Sequence, residues 1–189
     1  MIKMQKKLWG SLAAAVIVLG GGYGLSEAQA AKAGSTGAAV QDKALIGIAK
    51  AEANALKEAK GIVVSVDLEK KLSGTYYDVE IRKDHQEIEV RLDAYTGKTV
   101  KVRKETDKDD DDFYRAGSQN GTLISAGQAA AAAAASAKGT VTEVDLDEDD
   151  GILLYEVKIR NGKTETEIGV DASSAKILYT DVDHDDDED

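Results

Sequence analysis

The 189-residue chain has no cysteine, only two histidines, and fewer basic side chains (24) than acidic ones (35). Without cysteine there is no disulfide framework, no thiolate metal site and no residue to carry a lipid anchor behind an export signal, so the fold must hold without covalent staples. His85 falls in a turn-like stretch and His184 in an acidic tail. No H-E-x-x-H is present, and no serine stands in a nucleophile-elbow pattern. Catalysis needs a nucleophile, a base and an orienting group together, so an enzyme is not expected. No catalytic, cofactor-binding or metal-ligating residue is assigned. Phosphate recognition needs clustered Lys and Arg, and the excess of acid disfavours nucleic acid as a partner.

Long apolar runs are also scarce. The longest, Leu8 to Leu19, follows Lys3, Lys6 and Lys7 and precedes Ala28-Gln29-Ala30. A membrane span needs about 20 apolar residues, whereas a basic start, a short apolar stretch and a small-x-small site describe an export signal. Residues 1–30 are therefore read as a signal peptide. Its removal takes away three lysines and Glu27 and moves the net charge from −11 to −13. Residues 31–43, with Gly34-Ser35-Thr36-Gly37, read as a flexible tether.

What the sequence does contain is itself, twice. Tyr77-Asp78-Val79-Glu80-Ile81-Arg82 returns 78 residues later as Tyr155-Glu156-Val157-Lys158-Ile159-Arg160. The same offset relates Ile46 to Ile124, Lys60-Gly61 to Lys138-Gly139, Val66-Asp67-Leu68 to Val144-Asp145-Leu146, and Asp93-Ala94 to Asp171-Ala172. Such a repeat predicts two small modules, residues 44–104 and 122–180, joined by an acidic linker over 105–121 and followed by an acidic tail over 181–189. The tail is self-repelling and is expected to be disordered.

Within the first copy, Ile48, Ala51, Ala55, Leu56 and Ala59 recur at helical spacing, with Glu52, Lys57 and Glu58 pointing elsewhere. Lys60-Gly61 should end that helix, the glycine taking a left-handed conformation. In the second copy Ser125 should cap a helix whose body is nearly all alanine. Alanine has high helix propensity but buries little area. Val64, Val66 and Leu68, answered by Thr142, Val144 and Leu146, read as one face of a first strand. The Tyr77 and Tyr155 segments alternate with period two and form the second. Ile88 to Leu92 follows across a turn, and the corresponding Asn161-Gly162 is a favourable hairpin pair. Strands two and three should therefore be antiparallel neighbours, with one more short strand after Asp93-Ala94-Tyr95-Thr96-Gly97-Lys98. Ala175 replaces Gly97 in the second copy, so that turn should differ or be strained. The expected class is α+β, each module one helix on an antiparallel sheet of three to four strands.

Three further features bear on binding. Asp145 to Gly151, with Glu156 twelfth, nearly matches a calcium loop, but its glycine stands seventh instead of sixth and Glu156 lies within a strand. Copy one has Asp67, Glu69 and Lys71 at the same spacing, so the acidic set is not shared and a solvated hairpin is the preferred reading. Weak calcium association by the loop, linker or tail stays open outside the cell, where modules work near millimolar calcium. Phe113 and Tyr114, the linker's only aromatics, either sit exposed or pack between modules or onto a partner. Finally, strand one or the closing strand could accept an added peptide strand, unless Arg91, Lys101 and Arg103 protect the edge by charge.

The helix, Lys-Gly stop, Val-x-Asp-Leu strand, Tyr-x-Val-x-Ile strand and Asp-x-x-x-Gly-Lys turn, in that order, resemble a PepSY domain. The resemblance covers Ala44 to about Lys104 and Thr122 to about Thr180. It implies extracytoplasmic placement and, for some members, association with secreted peptidases, since such domains occur in propeptides of thermolysin-like metallopeptidases and are thought to restrain them. No residue of the shared pattern is catalytic. The expectation is an exported binding protein, one partner being a metallopeptidase or another exported protein. The alternatives are an acidic calcium-associating envelope protein, or a structural or sensory module.

Overall fold

The computed structural model describes residues 44–83, 85–106 and 123–184. The expected export signal and tether, Phe113 and Tyr114, and the last five residues lie outside these. Each repeat contributes one helix and four strands. In chain order they are α1 (Ile48–Glu58), β1 (Ile62–Lys71), β2 (Gly74–Lys83), β3 (Gln86–Asp93), β4 (Thr99–Thr106), α2 (Ala126–Ala134), β5 (Thr140–Asp149), β6 (Ile152–Asn161), β7 (Thr164–Asp171) and β8 (Ile177–His184).

The α+β class and the antiparallel pairing of β2 with β3 are as expected, but the modules do not keep separate sheets. The strands form one sheet in the order β4-β3-β2-β1-β5-β6-β7-β8, because β1 and β5 pair antiparallel, Ser65 opposite Asp145, Val66 opposite Val144 and Asp67 opposite Glu143. Val66 and Val144 are equivalent residues of the two copies. A pseudo-twofold axis therefore passes between them. It also passes between α1 and α2, where a Cβ on Gly127 would come within 2.8 Å of Ala49 Cα, its partner at the 78-residue offset. One core serves both repeats: Val66, Val79, Ile81, Val90 and Leu92 are continuous with Val144, Val157, Ile159, Ile168 and Val170 beneath the two helices. A module of about 60 residues buries too little apolar surface for comfortable stability, and joining two cores relieves that deficit.

The helices hold to the sheet through small side chains. Ile48, Ala51 and Ala55 are buried on α1, and Ala126, Gly127, Ala129, Ala130 and Ala133 on α2. Glu52, expected to face away, is buried too. Its Oε2 accepts a 2.8 Å hydrogen bond from the Gly127 amide at the start of α2, where a carboxylate complements the unpaired helix N–H groups. Ser125 caps α2 in a full capping box with Gln128. The segments leading into the helices are tied to the sheet by Ile46 N–H to Ala94 O (2.9 Å) and Ile124 N–H to Ala172 O (2.8 Å). The fully buried Tyr155 adds a bond from its hydroxyl to Ile124 O at 2.9 Å.

Several local expectations change. α1 stops at Glu58 with Ala59 extended, and Gly61 is required for room instead of handedness: a Cβ there would lie 2.4 Å from Arg82 O. A bulge at Val64, repeated at Thr142, interrupts strand one, so Val63 and Val141 take the helix-side places opposite Ile81 and Ile159. Asn161 stays in the ladder opposite Thr164, leaving Gly162 (φ +64) and Lys163 as the two-residue turn. The linker begins later than expected, since Glu105 and Thr106 belong to β4. Asp181, Val182, Asp183 and His184, assigned to a disordered tail, pair as β8 with Thr164 to Glu167.

Candidate functional site

Both helices lie on one face of the sheet, so alternate residues of every strand point out of the opposite face, which no helix or strand of the described residues covers. Register defines a row across that face: Lys101, Arg91, Asp78, Asp67, Glu143, Lys158, Glu167 and Asp181, from β4 to β8. Arg91 grips Asp78 with two bonds of 2.6 Å, and its guanidinium lies 5.7 Å from the Tyr76 ring centroid. Burial opposes ionisation of Asp78, but those bonds and the Arg91 charge outweigh it and hold the carboxyl below its ordinary range. In the second repeat, Lys158 pairs with Glu143 and Arg160 with Glu165. The Tyr179 ring lies over Gly169, with its hydroxyl 3.1 Å from Glu156 and 3.3 Å from Glu167.

Between Arg91 and Lys158 the seam is acidic. Asp67, Glu143 and Asp145 bring carboxylate oxygens within 4.8 Å of one another. Burial chiefly, offset by a 2.9 Å bond from Ser65 Oγ and reinforced by the neighbouring carboxylates, raises Asp67 to about 6. Burial, a hydrogen bond to Glu143 and the Asp67 charge raise Asp145 further, to about 8. Burial and the neighbouring carboxylates thus favour the protonated form of Asp145. The three oxygens could serve a cation in place of that proton.

Of the residues singled out in the sequence, Asp145 and Asp67 meet here, and the near-calcium-loop stretch forms the hairpin preferred for it. Glu156 faces Asp145 across the β5–β6 ladder, and Asp149-Asp150-Gly151-Ile152 closes a hairpin with Asp150 at φ +48. His85 is exposed at the β2–β3 turn (φ +60), and His184 Nδ1 lies 3.2 Å from Thr164 Oγ1 at the end of β8. Strand one is not an edge, being paired on both sides. Arg91 is on an interior strand, so of the three proposed guards only Lys101 and Arg103 stand on an edge. Glu143 escaped the sequence reading altogether. Its signal, acid alternating with Val144 and Leu146 on the polar side of β5, is visible only once β5 is placed beside β1.

On the helix side, Leu45, Ile46, Ile48, Tyr77, Ala130 and Val141 line an open apolar recess of about 300 Å³ between α1 and α2. The twofold-related position of Ala130 is Glu52, whose buried side chain accepts from the Gly127 amide.

This duplicated helix-and-four-strand unit matches the family model described as the peptidase propeptide and YPEB domain, PepSY, over residues 45–103 and again over 123–181. The chain belongs to the PepSY family. The chain is 30% identical to the protein YkoJ of Bacillus subtilis (strain 168) over 135 residues, 71% of this chain and 73% of that one. A crystal structure of a candidate lipoprotein (CD1622) from Clostridium difficile 630 is similar in fold, with a TM-score of 0.50 at 22% identity. The match covers 76% of this chain and 98% of that one. In this PepSY protein no helix among the described residues is long and apolar enough to cross a membrane.

Proposed function

We propose that this PepSY protein is an exported, non-catalytic binding protein that contacts a secreted or envelope peptidase and restrains it. The observation that carries the reading is the uncovered sheet face. Its strands present mainly charged side chains, with the rings of Tyr76 and Tyr179 among them, and Asp78–Arg91, Glu143–Lys158, Arg160–Glu165 and Tyr179–Glu156 are already joined by ion pairs and cross-strand bonds, while the helices occupy the other side. A surface ordered before binding loses little side-chain entropy on association, and opposed charges select the partner and speed encounter. Family membership supports placement outside the cytoplasm and a link to peptidases, and the basic, apolar start of the sequence supports export.

The test is affinity capture from the host's culture fluid and envelope fraction with the purified protein as bait, followed by peptidase assays with the captured protein. A retained metallopeptidase slowed by stoichiometric bait supports the proposal. Failure to bind or slow any secreted peptidase of the host overturns it. Calorimetric titration with calcium separates the acidic calcium-associating alternative, which requires heat in the absence of any protein partner.

A further inference from the structure

The outer strands of the sheet are the same element of the two repeats, and their charges have opposite sign. The 78-residue offset carries Thr99–Thr106 of β4 onto Ile177–His184 of β8. β4 bears Lys101, Arg103 and Lys104 against the single carboxylate Glu105, whereas β8 bears Asp181 and Asp183 with no Lys or Arg. All of β4 and all of β8 except Tyr179 are exposed, and among the described residues each has a strand on one side only. Both also expose apolar side chains toward the helix side: Val102 at 39% and Val182 at 54%.

An edge strand offers unpaired N–H and C=O groups, and charge usually blunts it. Like charge at both ends would repel every approaching copy, but opposite charge does not. Each neighbouring pair in the sheet is antiparallel, so β4 and β8 run in opposite directions. A second copy displaced sideways in the plane of the sheet, without being turned over, sets its β8 antiparallel to β4 and keeps its helices on the same side. With Val102 opposite Val182, Lys101 meets Asp183 and Arg103 meets Asp181, all four on the uncovered face, because Arg103 and Lys101 share the side of Glu89 and Arg91, and Asp181 and Asp183 the side of Glu167 and Glu165. The competing self-paired arrangements, β4 on β4 or β8 on β8, oppose like charges, which is destabilising. Charge thereby selects the head-to-tail contact over the twofold one.

We propose that a second copy of this chain docks edge to edge, β4 of one against β8 of the next, extending the sheet. The contact is independent of which peptidase the protein meets.

Sedimentation velocity over a concentration series tests it, at physiological ionic strength, where a Debye length of about 8 Å confines charge effects to facing side chains. The wild type should associate with rising concentration. The variants K101E/R103E and D181K/D183K, each folded by circular dichroism, should associate at least about tenfold more weakly alone, the loss expected when close ion pairs become like-charge pairs. Mixed together they should associate, each supplying the edge sign the other lacks. The fourfold exchange K101E/R103E/D181K/D183K should recover self-association. A wild type that stays monomeric throughout, either double variant associating as the wild type does, or a mixture that fails to associate overturns the proposal.

Discussion

Val66 and Val144, equivalent residues of the two repeats, face each other across the β1–β5 seam, both fully buried. Equivalent residues in direct antiparallel register are the mark of a twofold contact, so the duplication produced a pseudo-dimer within one chain. A polar side chain at this position cannot reach solvent from beneath the helices. Val144→Asp should therefore unfold both halves together, at a cost of about 3 kcal/mol or more for an unpaired buried carboxylate. Urea unfolding followed at Tyr-sensitive and far-ultraviolet wavelengths should show one coincident transition at lower denaturant, with no surviving half.

The acidic seam makes stability fall as pH rises. Asp67 and Asp145 have folded pKa values above the unfolded carboxyl value of about 3.9, near 6 and near 8, so the folded state holds more protons between those limits. Their contribution is complete below the unfolded value and is lost as pH climbs through about 6 and then about 8. Asp145→Asn keeps a donor toward Glu143 and removes the titration. It should stabilise the protein at neutral pH by on the order of 1 kcal/mol, or roughly 2–4 °C in Tm, and flatten the pH dependence measured by thermal melts.

Ala175 and Gly97 occupy the same turn in the same conformation, φ +59 and +69, each following an Asp whose Oδ1 accepts from two backbone amides. Hydrogen bonds from Ser174 and Ser173 hold Asp171 down at about 2, so its contribution is present above the unfolded carboxyl value and is lost as pH falls through about 2. At Gly97 a Cβ would meet Asn54 Nδ2 at 2.5 Å, an atom that bonds Gly97 O at 3.1 Å. In the second repeat the position equivalent to Asn54 is Ala132, which leaves the room that Ala175 uses. Left-handed backbone costs a non-glycine residue about 1–2 kcal/mol, less the entropy glycine loses on folding. Ala175→Gly should thus stabilise by about 0.5 kcal/mol, whereas Gly97→Ala should destabilise by about 2 kcal/mol, strain and clash together. Chemical denaturation of both variants checks the sign of each.

Glu52→Ala removes the carboxylate that the Gly127 amide binds and leaves that buried N–H without its acceptor, costing about 1–3 kcal/mol. Glu52→Gln retains an acceptor and should lose less. Amide hydrogen exchange at Gly127 reads the effect locally: protection should drop in the alanine variant and persist in the glutamine one.

Much of this fold is legible in the sequence because strand alternation, helical spacing and the Asp-led turns are local signals that recur in both copies. The strain at Ala175 follows from a single glycine replaced in a repeated turn. The β1–β5 seam is not legible in the same way. Val64 to Leu68 carries the apolar alternation of any half-buried strand, and alternation does not say whether a strand has one neighbour or two. The burial of Glu52 is hidden for a related reason: a carboxylate on an alanine-rich helix reads as solvent-facing until the N-terminus of another helix is set beside it. The acidic trio depends on that same seam, since Asp67 and Glu143 are adjacent only through it. Charge alone predicts disorder for Asp181 to His184, yet ladder bonds to β7 order this acidic segment that has no core of its own.

The shared sheet is tested most directly by cross-strand nuclear Overhauser effects in the isotope-labelled protein. Contacts linking the backbone protons of Ser65, Val66 and Asp67 to those of Asp145, Val144 and Glu143 are expected, in that register. Their absence, with intact contacts within each repeat, would contradict the single eight-stranded sheet.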